Sequence, residues 1–345
     1  MKKIGLMLAV CCLAACTKAD SRPKIFVYNV GEYIDQTTLR DFEAEYGVEV
    51  VYETFDSNET AYQKLKAGTT AYDVVFPSDY MIEKMIKEEM LQELDFSLLP
   101  NFQHILEDFK HLDYDPGNAY SVPYFWGTVG IVYDKNVVQE PVASWSVLWD
   151  SRYAKDIFMY DSQRDSLMVA LKLLGYSLNT HDLAELEAAK EKLIEQSPLV
   201  IAYITDVVIS NMIAGNAALA VVYSGDAAYI MDENPAMAYA IPTDGSNLWV
   251  DAMVIPKTSR QPELAHAFIN YMLETDVGLR NTEYVMYSTP NRAVLEELAG
   301  EEWTENDAFN PDLKSLSKLE MFRDPGDFVS EYDRIWIEVL VGAKN

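Results

Sequence analysis

The sequence predicts an α/β fold that is divided into two domains. Strand-like and helix-like segments alternate, and 345 residues are enough for roughly two domains. This alternation favours right-handed β-α-β units and therefore largely parallel sheets. No linker-like stretch divides the chain, which favours domains joined by several strand crossings over two domains in tandem.

The first part of the chain contains three strand–helix pairs. β-Branched and aromatic residues predict strands in three segments, 24–30 (KIFVYNV), 48–55 and 72–78. Helical apolar spacing follows each strand, over residues 34–47, 57–68 and 79–90. Gly47 and Gly68 are expected to end the first two helices, and Ser57 or Asn58 to cap the second.

The later segments extend the same pattern. Strands are predicted at 120–134, 156–162, 217–226, 238–242 and 248–256. Helices are predicted at 166–177, 207–215 and 262–273. Of these, 127–134 (GTVGIVYD) and 248–256 (LWVDAMVIP) are the expected crossings between the domains.

The N-terminus reads as a targeting segment rather than as part of the fold. Lys2 and Lys3 precede an apolar run that is too short for a stable membrane anchor. LAAC at 13–16 resembles a bacterial lipobox, so we expect residues 1–15 to be a signal peptide and 16–23 a tether that is lipidated at Cys16. A plain cleaved signal is the alternative. All three cysteines lie at or before Cys16, which leaves the rest of the chain without thiol chemistry or disulfides.

The chain is strongly acidic, with a formal net charge of −28. Such a charge repels nucleic acid and anionic lipid headgroups, so contact with a membrane is expected only through the acyl chain. It favours cationic ligands, although solubility alone would also explain it.

No enzyme class finds support in the motifs. His104, His111, His181 and His266 are scattered, and the Ser-hydrolase elbow, the phosphate-binding loop and the dinucleotide fingerprint are all missing from the sequence. Acid pairs such as Asp161 and Asp165 are expected by chance in so acidic a chain. We therefore expect no catalytic residues, no metal ligands and no cofactor.

The stretch NLWVDAMVIP places an acid inside an otherwise apolar strand. Alternation along a strand sends Trp249 and Asp251 to the same face. A broad aromatic ring beside a carboxylate suits an organic cation. The alternative is a turn-capping Asp251 next to a Trp249 that packs in the core.

Aromatic and acidic residues recur just after the predicted strands, where ligands bind in open α/β sheets. The segments concerned are 31–33 (GEY), 78–80 (SDY), 161–165 (DSQRD) and 223–226 (YSGD). Their recurrence in distant parts of the chain favours the cation site.

Several stretches together resemble the spermidine/putrescine-binding proteins of bacterial ABC transporters (the PotD type). They are FVYNVGEYI, YETFDSNETAYQKLKAG, YDVVFPSDYMIEKM, YSVPYFWGT, LKLLGYSLNT, LWVDAMVIP and MYSTPN. The resemblance implies a two-lobed periplasmic-binding-protein fold that closes on a hinge around a polyamine and delivers it to a membrane permease. Lobe 1 would comprise 24–127 and 252–296, and lobe 2 would comprise 128–251 and 297–345.

The resemblance also implies the ligand-binding residues. Trp249 and Asp251 match the aromatic–carboxylate pair of the family, Asp165 an acid of the second lobe, and Tyr223 stands where the family has a stacking tryptophan. The other matching positions are Glu32, Tyr33, Ser78, Tyr80 and Tyr287.

Structural roles remain open for several of these residues. The tyrosines at 33, 80 and 287 could be ordinary packing residues, Ser78 a helix cap, and Glu32 a solvated charge at the rim.

Three positions depart from the family pattern. Gly31 stands in place of a hydroxyl residue, Ser162 in place of a second acid, and Phe322 in place of a polar amide. Fewer polar contacts suggest the hypothesis that the protein favours putrescine over spermidine, or takes both.

The expected protein is thus a monomeric polyamine receptor in the periplasm, anchored by lipid. A receptor for a sugar or ferric iron is one alternative. A surface lipoprotein that binds a partner is another.

Overall fold

The computed structural model describes residues 22–313 and 318–342. The expected signal peptide and Cys16 lie outside the described residues, as does most of the tether. Among the described residues, no helix is both long and apolar enough to cross a membrane.

Strands and helices alternate as the sequence predicts. The strands are β1 (Lys24–Val30), β2 (Glu49–Phe55), β3 (Val74–Val75), β4 (Ser121–Asp134), β5 (Ile157–Tyr160), β6 (Val200–Ile204), β7 (Leu219–Tyr223), β8 (Met237–Ala240) and β9 (Leu248–Val254). The helices are α1 (Gln36–Tyr46), α2 (Asn58–Ala67), α3 (Asp79–Lys87), α4 (Gln163–Leu173), α5 (Leu183–Gln196), α6 (Val207–Ile213), α7 (Ser224–Glu233), α8 (Pro262–Met272), α9 (Thr275–Val285), α10 (Arg292–Glu297) and α11 (Val329–Gly342).

Local signals fix the ends of the early helices. Gly47 and Gly68 end α1 and α2 in the left-handed conformation, with φ of 66° and 63°. Glycine adopts this conformation without the steric cost of a Cβ atom. Ser57 caps α2 by accepting a hydrogen bond from the backbone N–H of Thr60.

The strands follow the order β2-β1-β3-β9-β4-β7-β5-β6, with β8 paired to β4. The predicted parallel pairing is confirmed in the outer parts, where β1 pairs with β2 and β3, and β5 with β6 and β7. The central strands differ, because β4 and β9 pair antiparallel with each other, and β4 also with β7 and β8. Each outer group consists of parallel strands that are connected through helices. Strands β9 and β4 lie between the two groups in the strand order.

Buried side chains form two main cores, and we call the part of the molecule around each core a lobe. The first lobe has its core between Ile25 and Trp126 and between Trp249 and Val277. The core of the second lobe extends from Val129 to Tyr239 and includes the buried face of α11. The α/β two-lobed class is therefore confirmed, while the lobe boundaries expected at 127/128 and 251/252 stay a prediction.

Strand β4 belongs to both lobes. Its residues 121–128 pair with β9, and its residues 129–134 pair with β7 and β8. The other expected crossing, β9, pairs with β3 and β4, so the chain returns to the first lobe between Ala240 and Leu248.

Candidate functional site

The ends of strands from both lobes supply the candidate site. Tyr33 follows β1, and Trp249 and Asp251 lie on β9, all in the first lobe. In the second lobe, Asp165 lies in the first turn of α4 after β5, and Tyr223 is the last residue of β7.

Four aromatic rings form an unbroken series between the lobes. Ring centroids are 5.8 Å apart for Tyr33 and Tyr287, 5.1 Å for Tyr287 and Trp249, and 6.1 Å for Trp249 and Tyr223. All three contacts are edge-to-face, a favourable geometry for aromatic pairs. The series brings together residues that are up to 254 positions apart in the chain.

Asp251 sits at the Tyr33 end of the ring series. Its Oδ2 accepts a hydrogen bond of 2.8 Å from the Tyr33 hydroxyl, and its side chain does not cap a turn. Its buried Oδ1 finds no hydrogen-bond donor among the described residues. Burial raises the pKa of Asp251 to about 6, although the hydroxyls of Ser78 and Tyr33 act in the opposite direction.

Asp165 sits at the Tyr223 end and repeats the same pattern. Its Oδ2 accepts a hydrogen bond of 2.9 Å from the Tyr223 hydroxyl, while its buried Oδ1 has no donor in the described part of the chain. Burial raises the pKa of Asp165 against the lowering effects of Ser162, Tyr223 and Arg164. Each end of the ring series therefore presents one half-satisfied carboxylate.

The tyrosines that hold these acids remain hydrogen-bond donors. Burial, together with the neighbouring carboxylates, raises the pKa of both Tyr33 and Tyr223 well above 10. Both hydroxyls therefore keep their protons at neutral pH and occupy one oxygen of each acid.

Small residues make room for the rings. A Cβ atom on Gly127 would lie 2.5 Å from the Trp249 indole, and one on Gly225 would lie 1.6 Å from the Tyr287 ring. Trp249 is only 8% exposed and belongs to the first core. It therefore packs in that core and is also one of the four rings of the series.

Asp226 is a third acid at the site, and it follows a predicted strand but is not among the predicted ligand-binding residues. The Tyr287 hydroxyl donates to its Oδ1 at 3.1 Å. Burial raises the pKa of Asp226 to about 7, with the bond from Tyr287 opposing this and Asp206 adding to it.

Asp79 is likewise not among the predicted site residues, although it lies between Ser78 and Tyr80 in the sequence. Its carboxylate accepts hydrogen bonds from the backbone N–H groups of Tyr80 (2.6 Å) and Val250 (3.3 Å). Val250 stands between Trp249 and Asp251, so Asp79 fixes the strand that carries both. Burial and the charge of Asp251 raise the pKa of Asp79.

Ser78 and Tyr80 border the site, and the hydroxyl oxygen of each takes part in a hydrogen bond. Ser78 Oγ accepts from Asn58 Nδ2 at 2.9 Å and makes no capping bond to α3, so the capping alternative does not apply. The Tyr80 hydroxyl donates to Glu59 at 2.9 Å, and its ring packs against both cores.

Glu32 does not lie with the buried acids Asp251 and Asp165. It is exposed, adopts a left-handed backbone with φ of 53°, and accepts a hydrogen bond of 2.7 Å from the Tyr284 hydroxyl. This placement agrees with the alternative that Glu32 is a solvated charge at the rim.

Two of the three positions that depart from the family pattern, Ser162 and Phe322, have a structural role. Ser162 caps α4 by accepting from the backbone N–H of Asp165. Phe322 is buried in the second core, with the Arg164 guanidinium 4.4 Å from its ring centroid. Gly31 is exposed.

The arrangement has the chemistry of a site for an organic cation. Within residues 22–313 and 318–342, no three His, Cys, Asp or Glu side chains are grouped to hold a metal ion. Two separated carboxylates with ring faces between them can bind a slender molecule that has a positive charge at each end.

We expect Asp251→Asn to stabilise the ligand-free protein at pH 8. A folded-state pKa of about 6 against an ordinary value of 3.8 means that stability is lost as the pH rises through 6, by roughly 3 kcal/mol. Urea unfolding should show this gain at pH 8 and its disappearance toward pH 4.

The exposed acid Asp232, on the last turn of α7, provides the control. Asp232→Asn should change the free energy of unfolding by less than about 0.5 kcal/mol at either pH. If Asp251→Asn were less stable than the unaltered chain at pH 8, the claim that the charged Asp251 destabilises the ligand-free protein would be contradicted.

Comparison with known proteins agrees with this architecture. Residues 37–311 match the family model of the bacterial extracellular solute-binding proteins. The chain is 34% identical over 326 residues to the spermidine/putrescine-binding periplasmic protein of Salmonella typhimurium, which covers 94% of this chain and 93% of that protein.

Solved structures agree as well. The spermidine/putrescine ABC transporter substrate-binding protein PotD of Streptococcus pneumoniae is 41% identical, with a TM-score of 0.84 over 93% of this chain and 99% of that chain. The TpPotD lipoprotein of Treponema pallidum is 28% identical, with a TM-score of 0.82 over 92% of this chain and 99% of that chain. The chain therefore belongs to the bacterial extracellular solute-binding proteins, in the group formed by the spermidine/putrescine-binding periplasmic proteins.

Proposed function

We propose that this protein is the polyamine receptor of an ABC transporter. It captures putrescine, spermidine or both between its two lobes and delivers the ligand to a membrane permease. The names of its relatives support this function, and the chemistry of the site supports it independently.

The observation that carries the proposal is the pair of half-satisfied carboxylates. Asp251 and Asp165 each keep one buried oxygen without a donor in the described chain, at the two ends of the ring series. A buried carboxylate of this kind is stabilised in its charged form by a positively charged partner. A polyamine supplies one ammonium group for each acid and places its methylenes against the rings.

The contacts to the ligand differ in the free energy that each is expected to contribute. A buried charge-assisted hydrogen bond contributes roughly 1.5–3 kcal/mol, and a desolvated cation–π contact about 2 kcal/mol. Asp251 and Asp165 should therefore dominate affinity, while Tyr33, Tyr223, Trp249 and Tyr287 select for a narrow apolar chain. Ser78 and Tyr80 complete the wall, and Glu32 attracts the cation from the rim.

Binding is coupled to closure of the lobes. The two acids come from different lobes, so both reach the ligand only when the lobes are in contact. A ligand that bridges them stabilises that state selectively. We place the lobes approximately at 24–127 with 252–296, and at 128–251 with 297–345, and we count all of β9 in the first lobe because Trp249 and Val250 belong to its core.

The receptor is held at the membrane by lipid. Acylation of Cys16 after removal of residues 1–15 would leave 16–23 as the tether, on a monomer in the periplasm. The lipobox-like LAAC supports this, as does the lipoprotein name of the Treponema pallidum relative.

Loss of either acid should weaken putrescine binding. We expect Asp251→Asn and Asp165→Asn each to lower the affinity about 10- to 150-fold at pH 8, since each removes one buried charge-assisted contact. Isothermal calorimetry measures this, and Asp232→Asn should bind like the unaltered chain.

The alternative functions predict other outcomes. A sugar or iron receptor would be stabilised against thermal unfolding by maltose or ferric citrate and not by putrescine. A lipoprotein that binds only a protein partner would respond to none of the three ligands, and Asp251→Asn would be silent.

Within the polyamines, we propose that the chain prefers putrescine. Ser162 is occupied as a helix cap and Phe322 is apolar, so neither offers an acid or amide to a further amine. Calorimetry with both ligands should give putrescine the higher affinity. Spermidine binding at least tenfold tighter would defeat the preference.

A further inference from the structure

Helix α3 connects the candidate site to a second contact between the lobes. The helix begins beside the site at Asp79 and carries Glu83 and Lys87 on its later turns. Its apolar residues Met81, Ile82 and Met85 belong to the first core, which fixes the helix to the first lobe.

Helix α3 contacts residues 322–324, which belong to the second lobe. Phe322 is buried in the second core. The backbone N–H of Arg323 donates to Asn179 at 2.9 Å, and its carbonyl accepts from Arg164 at 3.3 Å. Arg164 immediately precedes the site residue Asp165, so this segment also adjoins the site.

Glu83 is the centre of the contact. Arg323 donates from Nη2 to Oε1 at 2.8 Å and from Nε to Oε2 at 3.0 Å, and the backbone N–H of Asp324 donates to Oε2 at 2.9 Å. Lys87 lies 3.1 Å from Oε1 and 3.4 Å from the Asp324 carboxylate. Asp113 adds a longer contact of 3.6 Å to Arg323.

The geometry is that of a strong ion pair. A two-pronged Arg–carboxylate contact is stronger and more directional than a single charged bond. The Glu83 side chain is only 10% exposed, whereas Arg323 is 41% exposed. Burial alone would raise the pKa of Glu83, but the bonds from Arg323, Asp324 and Lys87 outweigh it and hold the pKa at about 2.

The contact depends on the lobes being together. Glu83 and Arg323 are fixed to different lobes, so separation of the lobes breaks the pair and leaves Glu83 with Lys87 on its own helix. Neither residue belongs to the ring series or its acids.

We propose that Glu83 and Arg323 form a latch that positions the closed state and slows ligand release without touching the ligand. The proposal rests on the proposed polyamine function for its ligand, while the latch itself can be measured without one. A greater closed population raises the apparent affinity in proportion.

Stopped-flow binding of putrescine tests the latch. Arg323→Gln should raise the dissociation rate about three- to tenfold, a range that allows for the exposure of Arg323, and leave the association rate within about twofold. Glu83→Gln should raise the dissociation rate by a similar factor, and the double variant should release putrescine little faster than either single variant. Arg280→Gln is the matched control, because it breaks a 2.7 Å bond to Asp41 inside the first lobe.

Closure without ligand is measured by the distance between spin labels. Labels at Glu45→Cys and Glu191→Cys report on the two lobes of the protein without residues 1–15, in which Cys16 has been changed to Ser. Arg323→Gln should shift the distances toward an open form, and Arg280→Gln should not.

Unchanged dissociation and unchanged distances in Arg323→Gln would overturn the latch. If the unaltered chain binds no polyamine, the proposed function fails, and the label distances alone decide on the latch.

Discussion

The site depends on two carboxylates that the fold buries and only half satisfies. Asp251 and Asp165 each receive one tyrosine hydroxyl, and the other oxygen of each meets no donor in the described chain. Burying a charge in this way costs several kcal/mol unless an opposite charge reaches it. The raised pKa values of both acids express that cost. The charge of Arg164 lowers the pKa of Asp165, but no donor of the described residues reaches the free oxygen of either acid, so a cationic ligand would complete both.

Topology explains how acids from distant segments meet. Strand β4 pairs through its first half with β9, which carries Trp249 and Asp251, and through its second half with β7, which ends at Tyr223. Helix α3 starts at the site and ends near Arg323. Ligand contact and lobe contact are therefore linked through shared rigid elements, which is how a bound dication can select one arrangement of the lobes.

Much of this was predictable because the signals are local. Alternation placed Trp249 and Asp251 on one face, and the glycines at 47 and 68 ended their helices as expected. The antiparallel pairing of β4 and β9 was not predictable, since pairing direction depends on distant partners. The same holds for Asp226, which becomes a site residue only because Tyr287 reaches it, and for Glu32, whose left-handed backbone keeps it at the rim.

A crystal structure with putrescine at pH 8 tests the central claim most directly. The account predicts one ammonium nitrogen about 2.7–3.0 Å from Asp251 Oδ1 and the other at the same distance from Asp165 Oδ1, with the methylenes against the rings. A ligand bound elsewhere, or both carboxylates still without a cationic partner in the liganded protein, would contradict it.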